Sequence, residues 1–121
     1  MPRKKETWSP SDLLPLNQTV FRTLLVLGDG QMHGYGVMQA LAEKTGGRER
    51  ILPGTLYASI ARMVQERLLE EIDSSEPDAS GGPKRRYDRR TEFGTAVARA
   101  ESERMQALLK LAQAEKILPE S

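Results

Sequence analysis

Up to Leu68 the apolar residues of this chain recur at helical spacing; from Leu68 to Arg90 they do not; from Thr91 they do again. That order of periods leaves few folds open. Residues 17–28, NQTVFRTLLVLG, place Val20, Phe21, Leu24, Leu25 and Leu27 on one helical face. Asn17 suits the N-cap, where its side chain accepts an orphan backbone N–H, Leu16 and Phe21 sit at hydrophobic-staple spacing, and Gly28 stops the helix. A second helix is expected over 34–45, with Val37, Met38 and Leu41 inward and Gly46-Gly47 at its end. A third begins at Pro53, whose missing N–H costs nothing at a first helical position. Leu56, Ile60, Met63 and Val64 share its inner face, with Leu68 following, while Gly54, Thr55, Ala58, Arg62 and Gln65 point away. LLEEID (68–73) and KRRYDRR (84–90) then read as two short strands joined by SSEPDASGGP, a loop of turn formers. A last long helix is expected from an N-cap at Thr91 to about Leu118, ended by Pro119.

Three short helices, a two-stranded hairpin and a long helix describe a mostly α winged helix-turn-helix. The connection holding Gly46-Gly47 and RERIL (48–52) is a candidate for a small extra strand beside the wing. At 121 residues the chain can bury one modest core. The expected partition is a flexible N-terminal arm over 1–15, a DNA-binding domain over 16–90 and a C-terminal dimerisation helix over 91–121. With no cysteine there is neither a disulfide framework nor a thiolate metal site. The longest apolar runs, such as LLVL at 24–27, are too short to cross a bilayer. MPRKKETWSPS has basic residues without an apolar run behind them, so no secretory signal is read there and a cytoplasmic location is expected.

The charge distribution points to a function. The chain has 18 basic and 17 acidic residues, yet five of the seven residues of KRRYDRR are cationic. Without that stretch the chain is acidic, with 13 basic residues against 16 acidic ones. A basic run is often an exposed strand protecting a sheet edge, but five cations in seven exceed that need. Lys84, Arg85 and Arg86, at the expected wing tip, can neutralise phosphates and release counterions. In a helix-turn-helix the second helix of the motif enters the major groove by its N-terminal end. Here that face is Gly54, Thr55 and Ala58, small enough for close approach, with Tyr57 at its edge and Arg62 a turn later to meet a phosphate or guanine. A small, polar helix face taken alone is more often simply solvated; the adjacent wing shifts the balance to double-stranded DNA as partner. The rival reading is a winged-helix interaction module docking an acidic partner through KRRYDRR.

Three segments together carry a resemblance: HGYGVMQALAEKTGG, LPGTLYASIARMVQERLLEE and KRRYDRRTEFG. Their motifs are His-Gly-Tyr-Gly at 33–36, Pro-Gly-Thr-Leu-Tyr at 53–57 and Tyr-x-x-x-Thr-x-x-Gly at 87–94. With these the chain resembles the PadR family of bacterial transcriptional regulators, in the branch with a short C-terminal helix. The resemblance implies a homodimer joined through that helix, binding a pseudo-palindromic operator, usually as a repressor. It implies DNA contacts at Tyr35, Thr55 and Tyr57 and a wing in the adjacent minor groove. It names no effector. Three positions depart from the family: Asp88 where a second aromatic is common, Arg90 where an apolar residue is common, and Leu52 where Ser or Gly often precedes Pro-Gly-Thr.

The distal part of the last helix keeps an apolar side. Met105, Leu108, Leu111 and Ala112 are therefore the expected dimer interface; the competing arrangement folds this stripe back on the first helix. No cofactor or metal is expected, since His33 is the single histidine and no cysteine joins it. His33 is read as a capping or packing residue, and Trp8 as an anchor on the body or on a partner subunit in preference to the wall of a small-molecule site. The Gly-x-Gly at 34–36 follows no strand and lacks a third glycine, so it is no dinucleotide motif. No acid–base pair or nucleophile constellation is visible, so no enzymatic activity is expected.

Overall fold

The computed structural model describes residues 8–28, 31–72 and 87–120. The loop at 74–83 and Lys84, Arg85 and Arg86 lie outside the described residues. Helix α1 spans Gln18–Leu27, strand β1 Gln31–Met32, helix α2 Gly34–Lys44 and helix α3 Pro53–Gln65. Strands β2, Leu69–Ile72, and β3, Tyr87–Arg90, precede helix α4, Glu92–Ala114. This is the expected winged helix-turn-helix.

Local chemistry sets the helix ends. The Asn17 side chain accepts the Thr19 N–H at 2.8 Å, and Thr91 accepts the Gly94 N–H at 2.8 Å, each relieving an orphan donor. Helices α2, α3 and α4 all close in one pattern, a residue in the left-handed region followed by a long backbone bond back into the helix. Gly46, Arg67 and Lys116 take the left-handed position. Gly47 then donates to Ala42, Leu68 to Met63 and Ile117 to Ala112, at 2.7, 2.9 and 2.9 Å. This closure corrects the expected end of α4. The helix stops at Ala114 instead of Leu118, because Lys116 adopts the turn before Pro119 is reached.

The sheet has three strands in the order β1-β3-β2, all antiparallel. The β2–β3 pair is the expected wing, but the third strand is not RERIL. It is Gln31–Met32, which faces Arg89 and Asp88. The RERIL segment is held by side chains: Arg22 of α1 pairs with Glu49 at 2.7 Å, Thr45 Oγ1 accepts the Glu49 N–H, and Ile51 is buried. Strand β3 is therefore central and has no edge to protect.

Leu24 and Leu27 of α1, Leu56 and Met63 of α3, and Leu68 and Val97 are almost fully enclosed. Leu25, expected on the inner face of α1, is instead half exposed; at about 100° per residue it lies beyond the Leu24–Leu27 stripe. Residues 10–13, expected within the arm, form a single 3-10 turn, Pro10–Leu13, and Leu13, Leu14 and Leu16 pack on the core. Glu101 of α4, fully buried, accepts the Leu16 N–H at 2.7 Å and also holds Arg104.

The Arg104 guanidinium holds the Glu101 carboxyl below the usual carboxylate range; burial opposes this and the Leu16 N–H supports it. A depressed folded value means that the carboxylate stabilises the fold fully above its unfolded value, near pH 4–5, and loses that contribution as pH falls through the folded value. Glu101→Gln is expected to cost about 2 kcal/mol at neutral pH. It should also flatten the loss of stability below about pH 5 relative to the unmodified chain, read from urea midpoints as the pH is lowered.

Candidate nucleic-acid interface

The outer side of α3 carries small residues near its start and an arginine about a turn after Ala58. Gly54, Thr55, Ala58 and Arg62 are all exposed. Nothing lies within 4 Å of where a Cβ would stand on Gly54, so a flat ligand could approach the backbone there. Leu52 makes no side-chain cap, which leaves the first N–H groups of α3 free for an external acceptor at the positive end of the helix.

The three tyrosines of the chain gather around the start of α2. His33 caps that helix, its Nδ1 accepting the Gly36 N–H at 3.1 Å. The Tyr35 ring lies parallel to the His33 ring at 6.4 Å, and the Tyr87 ring meets His33 edge-on at 5.7 Å. Tyr57 of α3 closes over Gly34; a Cβ there would stand 2.5 Å from Tyr57 Cε1. Gly34 is thus required by a ring, not by a turn. These contacts seat the wing strand, the start of α2 and the start of α3 side by side. Tyr35 and Tyr57 remain more than half exposed, at 57% and 53%, so both phenols flank the open Gly54–Ala58 surface. Tyr35, Gly54, Thr55, Tyr57 and Ala58 are accordingly brought to one end of the fold.

Arg62 sits apart from this cluster. It pairs with Glu66 at 3.4 Å and borders a cleft of about 300 Å³ between α3 and residues 13–17. Its side chain is 76% exposed, so the pair is weak and the guanidinium can swing to another anion.

The cations of KRRYDRR divide by role. Arg89 is bound to Glu70 on β2, directly opposite in the ladder, with Nε 2.7 Å from the carboxylate. Arg90 turns inward, donating to Thr95 Oγ1 at 2.8 Å and to the Leu24 carbonyl near the end of α1 at 2.7 Å, where the helix dipole favours a cation. Both residues serve the fold. Asp88 is buried, and no buried side-chain polar atom among the described residues lacks a partner. The two departures in the strand are thus accommodated by polar packing. The expected dimer residues lie elsewhere, on distal α4: Leu108 and Leu111 are exposed and Met105 and Ala112 half-buried. The stripe does not fold back on α1.

Sequence reasoning took His33 as a cap and Tyr87 as a motif residue, and missed that their rings join. The glycine and aromatic alternation of His-Gly-Tyr-Gly was the available signal. Among the described residues no helix is long and apolar enough to cross a membrane, and no cluster of three or more potential metal ligands occurs.

Fold and surface together define a winged helix-turn-helix protein with a solvent-facing second motif helix. The sequence profile of the Transcriptional regulator PadR-like family matches residues 23–100, and the chain belongs to that family. No match is found among curated proteins. Among solved structures, the chain is similar to a transcriptional regulator from Clostridium thermocellum, with 21% identity, TM-score 0.68 and coverage of 79% of this chain and 87% of that one. A PadR family transcription regulator from Clostridium difficile gives 19% identity, TM-score 0.66, and 81% and 97% coverage. Bacillus subtilis PadR, in complex with operator DNA, gives 14% identity and TM-score 0.61, over 71% of this chain and 47% of that one.

Gly34→Ala tests the ring packing. The added methyl must push Tyr57 aside, at a cost of roughly 1–3 kcal/mol. The helical circular dichroism spectrum should persist, while the Tyr57 ring resonances shift and melting falls by several degrees. Unshifted Tyr57 resonances would contradict the contact.

Proposed function

We propose that this regulator binds double-stranded DNA sequence-specifically as a homodimer, recognises a pseudo-palindromic operator and acts as a repressor. The observation that carries the reading is the open Gly54–Thr55–Ala58 surface of α3 flanked by the exposed Tyr35 and Tyr57. A major groove accepts a helix whose leading residues are small, and the phenols can bond the phosphates on either side. A structure of this fold on operator DNA, that of Bacillus subtilis PadR, supports the assignment. Arg62 would add a phosphate or guanine contact, and Lys84, Arg85 and Arg86 would hold the backbone from the wing. In this reading residues 1–15 are an arm, 16–90 the DNA-binding domain and 91–121 the dimerisation helix. It assigns no enzymatic activity and places the protein with the chromosome, in the cytoplasm.

The dimer rests on distal α4. Leu108, Leu109 and Leu111 are at least half exposed, on a helix of 23 residues that extends about 35 Å. A second copy covers them most simply, and pairs two recognition helices at the roughly 34 Å spacing of half-sites one turn apart.

Three experiments test the reading. Ala58→Glu keeps a good helix former but sets a carboxylate against the phosphates. It should weaken operator binding roughly a hundredfold or more with an unchanged circular dichroism spectrum. Binding by the unmodified protein should fall steeply with salt; a shallow slope would favour an acidic protein partner instead. Replacing Leu108 and Leu111 together by lysine should give monomers in sedimentation at micromolar concentration, with poor binding to a single half-site. A double variant that stays dimeric would place the interface elsewhere.

A further inference from the structure

The first two and a half turns of α3 and the residue before them read LPGTLYASIA, residues 52–61. They contain no Arg, Lys, Asn, Gln, Asp or Glu. The bidentate contacts that identify guanine or adenine in a major groove come from Arg, Lys, Asn and Gln. The first such side chain on this helix is Arg62, which is paired with Glu66. The leading end of α3 therefore reads bases by other means, through hydroxyl groups and apolar contact.

Leu52 is the largest exposed aliphatic group at that end. It is 74% exposed, belongs to no part of the core and gives its helix no side-chain cap. A leucine half exposed elsewhere, such as Leu25, needs no explanation, since isolated surface leucines are common. Leu52 differs in its position. It occupies the N-cap of the helix that leads into the groove, with φ −72° and ψ 144°. The following Pro53 restricts it to this extended region, so the side chain projects from a fixed backbone. In the major groove the exocyclic apolar group that a base presents is the 5-methyl of thymine.

We propose that Leu52 is a specificity-determining residue that packs on a thymine 5-methyl group in each operator half-site. The proposal rests on the DNA-binding reading above. It makes this chain's choice of operator depend on removing one methyl group and one leucine from water together.

The test uses the full chain and an operator selected by it from random duplexes. Each thymine is replaced singly by deoxyuridine, which deletes the 5-methyl and keeps every hydrogen-bonding group. At one thymine per half-site the unmodified protein should lose affinity roughly fourfold, the worth of one buried methyl. Leu52→Ser and Leu52→Ala should bind thymine and uracil equally there, and match the unmodified protein's response at every other thymine. Melting curves identify a folded variant, and two replacements separate loss of leucine from any new bond made by serine. If an operator is selected but no uracil substitution matters, or if both variants keep the same discrimination, Leu52 does not read a methyl and the DNA-binding reading stands. If no sequence is selected at all, both fall.

Discussion

The close approach of Gly94 to the backbone at Leu68 fixes how the parts of this fold meet. A Cβ at position 94 would stand 2.1 Å from the Leu68 carbonyl oxygen, a distance no side chain tolerates. That carbonyl accepts the Thr91 N–H at 3.1 Å and the Thr91 hydroxyl at 3.1 Å. Leu68 in turn closes α3 through its own N–H and buries its side chain. One residue thus closes α3, leads directly into β2 and receives the first turn of α4. The spacing Tyr87, Thr91, Gly94 now has a physical content for each member. Tyr87 seats the wing against His33, Thr91 caps α4 and ties it to α3, and Gly94 leaves room for the tie.

What could be read from the sequence was what local chemistry specifies. Asn17, Pro53 and Thr91 mark helix starts because a cap or a fixed φ acts within three or four residues. The inner faces of α2 and α3 follow from their period. Most of the misses arise from contacts remote in sequence, and one from a local turn that its residue type does not announce. Gln31–Met32 is a strand only because β3 passes beside it; two residues have no period to detect. Lys116 ends α4 in a conformation usually given to glycine, so the residue type gave no warning and Pro119 drew the boundary too late. Glu101 bonds a backbone N–H 85 positions away. The candidate site was legible in part for the same reason: the outward face of α3 is a matter of period, whereas the rings around His33 belong to three separate elements.

The charge argument changes once partners are visible. Several acidic residues have particular partners. Glu70, Glu49 and Glu101 each hold an arginine in place, and Arg90 is spent on the end of α1. Of the basic heptapeptide, Arg90 is committed to the fold and Arg89 is partly neutralised by Glu70. A count of cations along the sequence therefore overstates the charge that the wing can offer. An arginine directly opposite a glutamate in a ladder has to be subtracted first.

The same accounting applies to α4. Gly94, Val97, Ala98 and Glu101 are buried, and Met105, Leu108 and Ala112 continue that stripe at helical spacing. One face of one helix is covered by its own domain up to Glu101 and only partly covered beyond it. Glu101 stands at the change, anchoring α4 to the segment before α1 through Leu16. A helix face cannot turn without a break in its hydrogen bonds, and each residue advances it by about 100°. Whatever covers the distal stripe is therefore held at a fixed angle to the α3 surface of the same chain. In the proposed dimer that angle, set by helical phase and by the Leu68–Gly94 contact, decides how two recognition helices face one duplex. The geometry of the operator would then be encoded far from any base, in residues that never touch DNA.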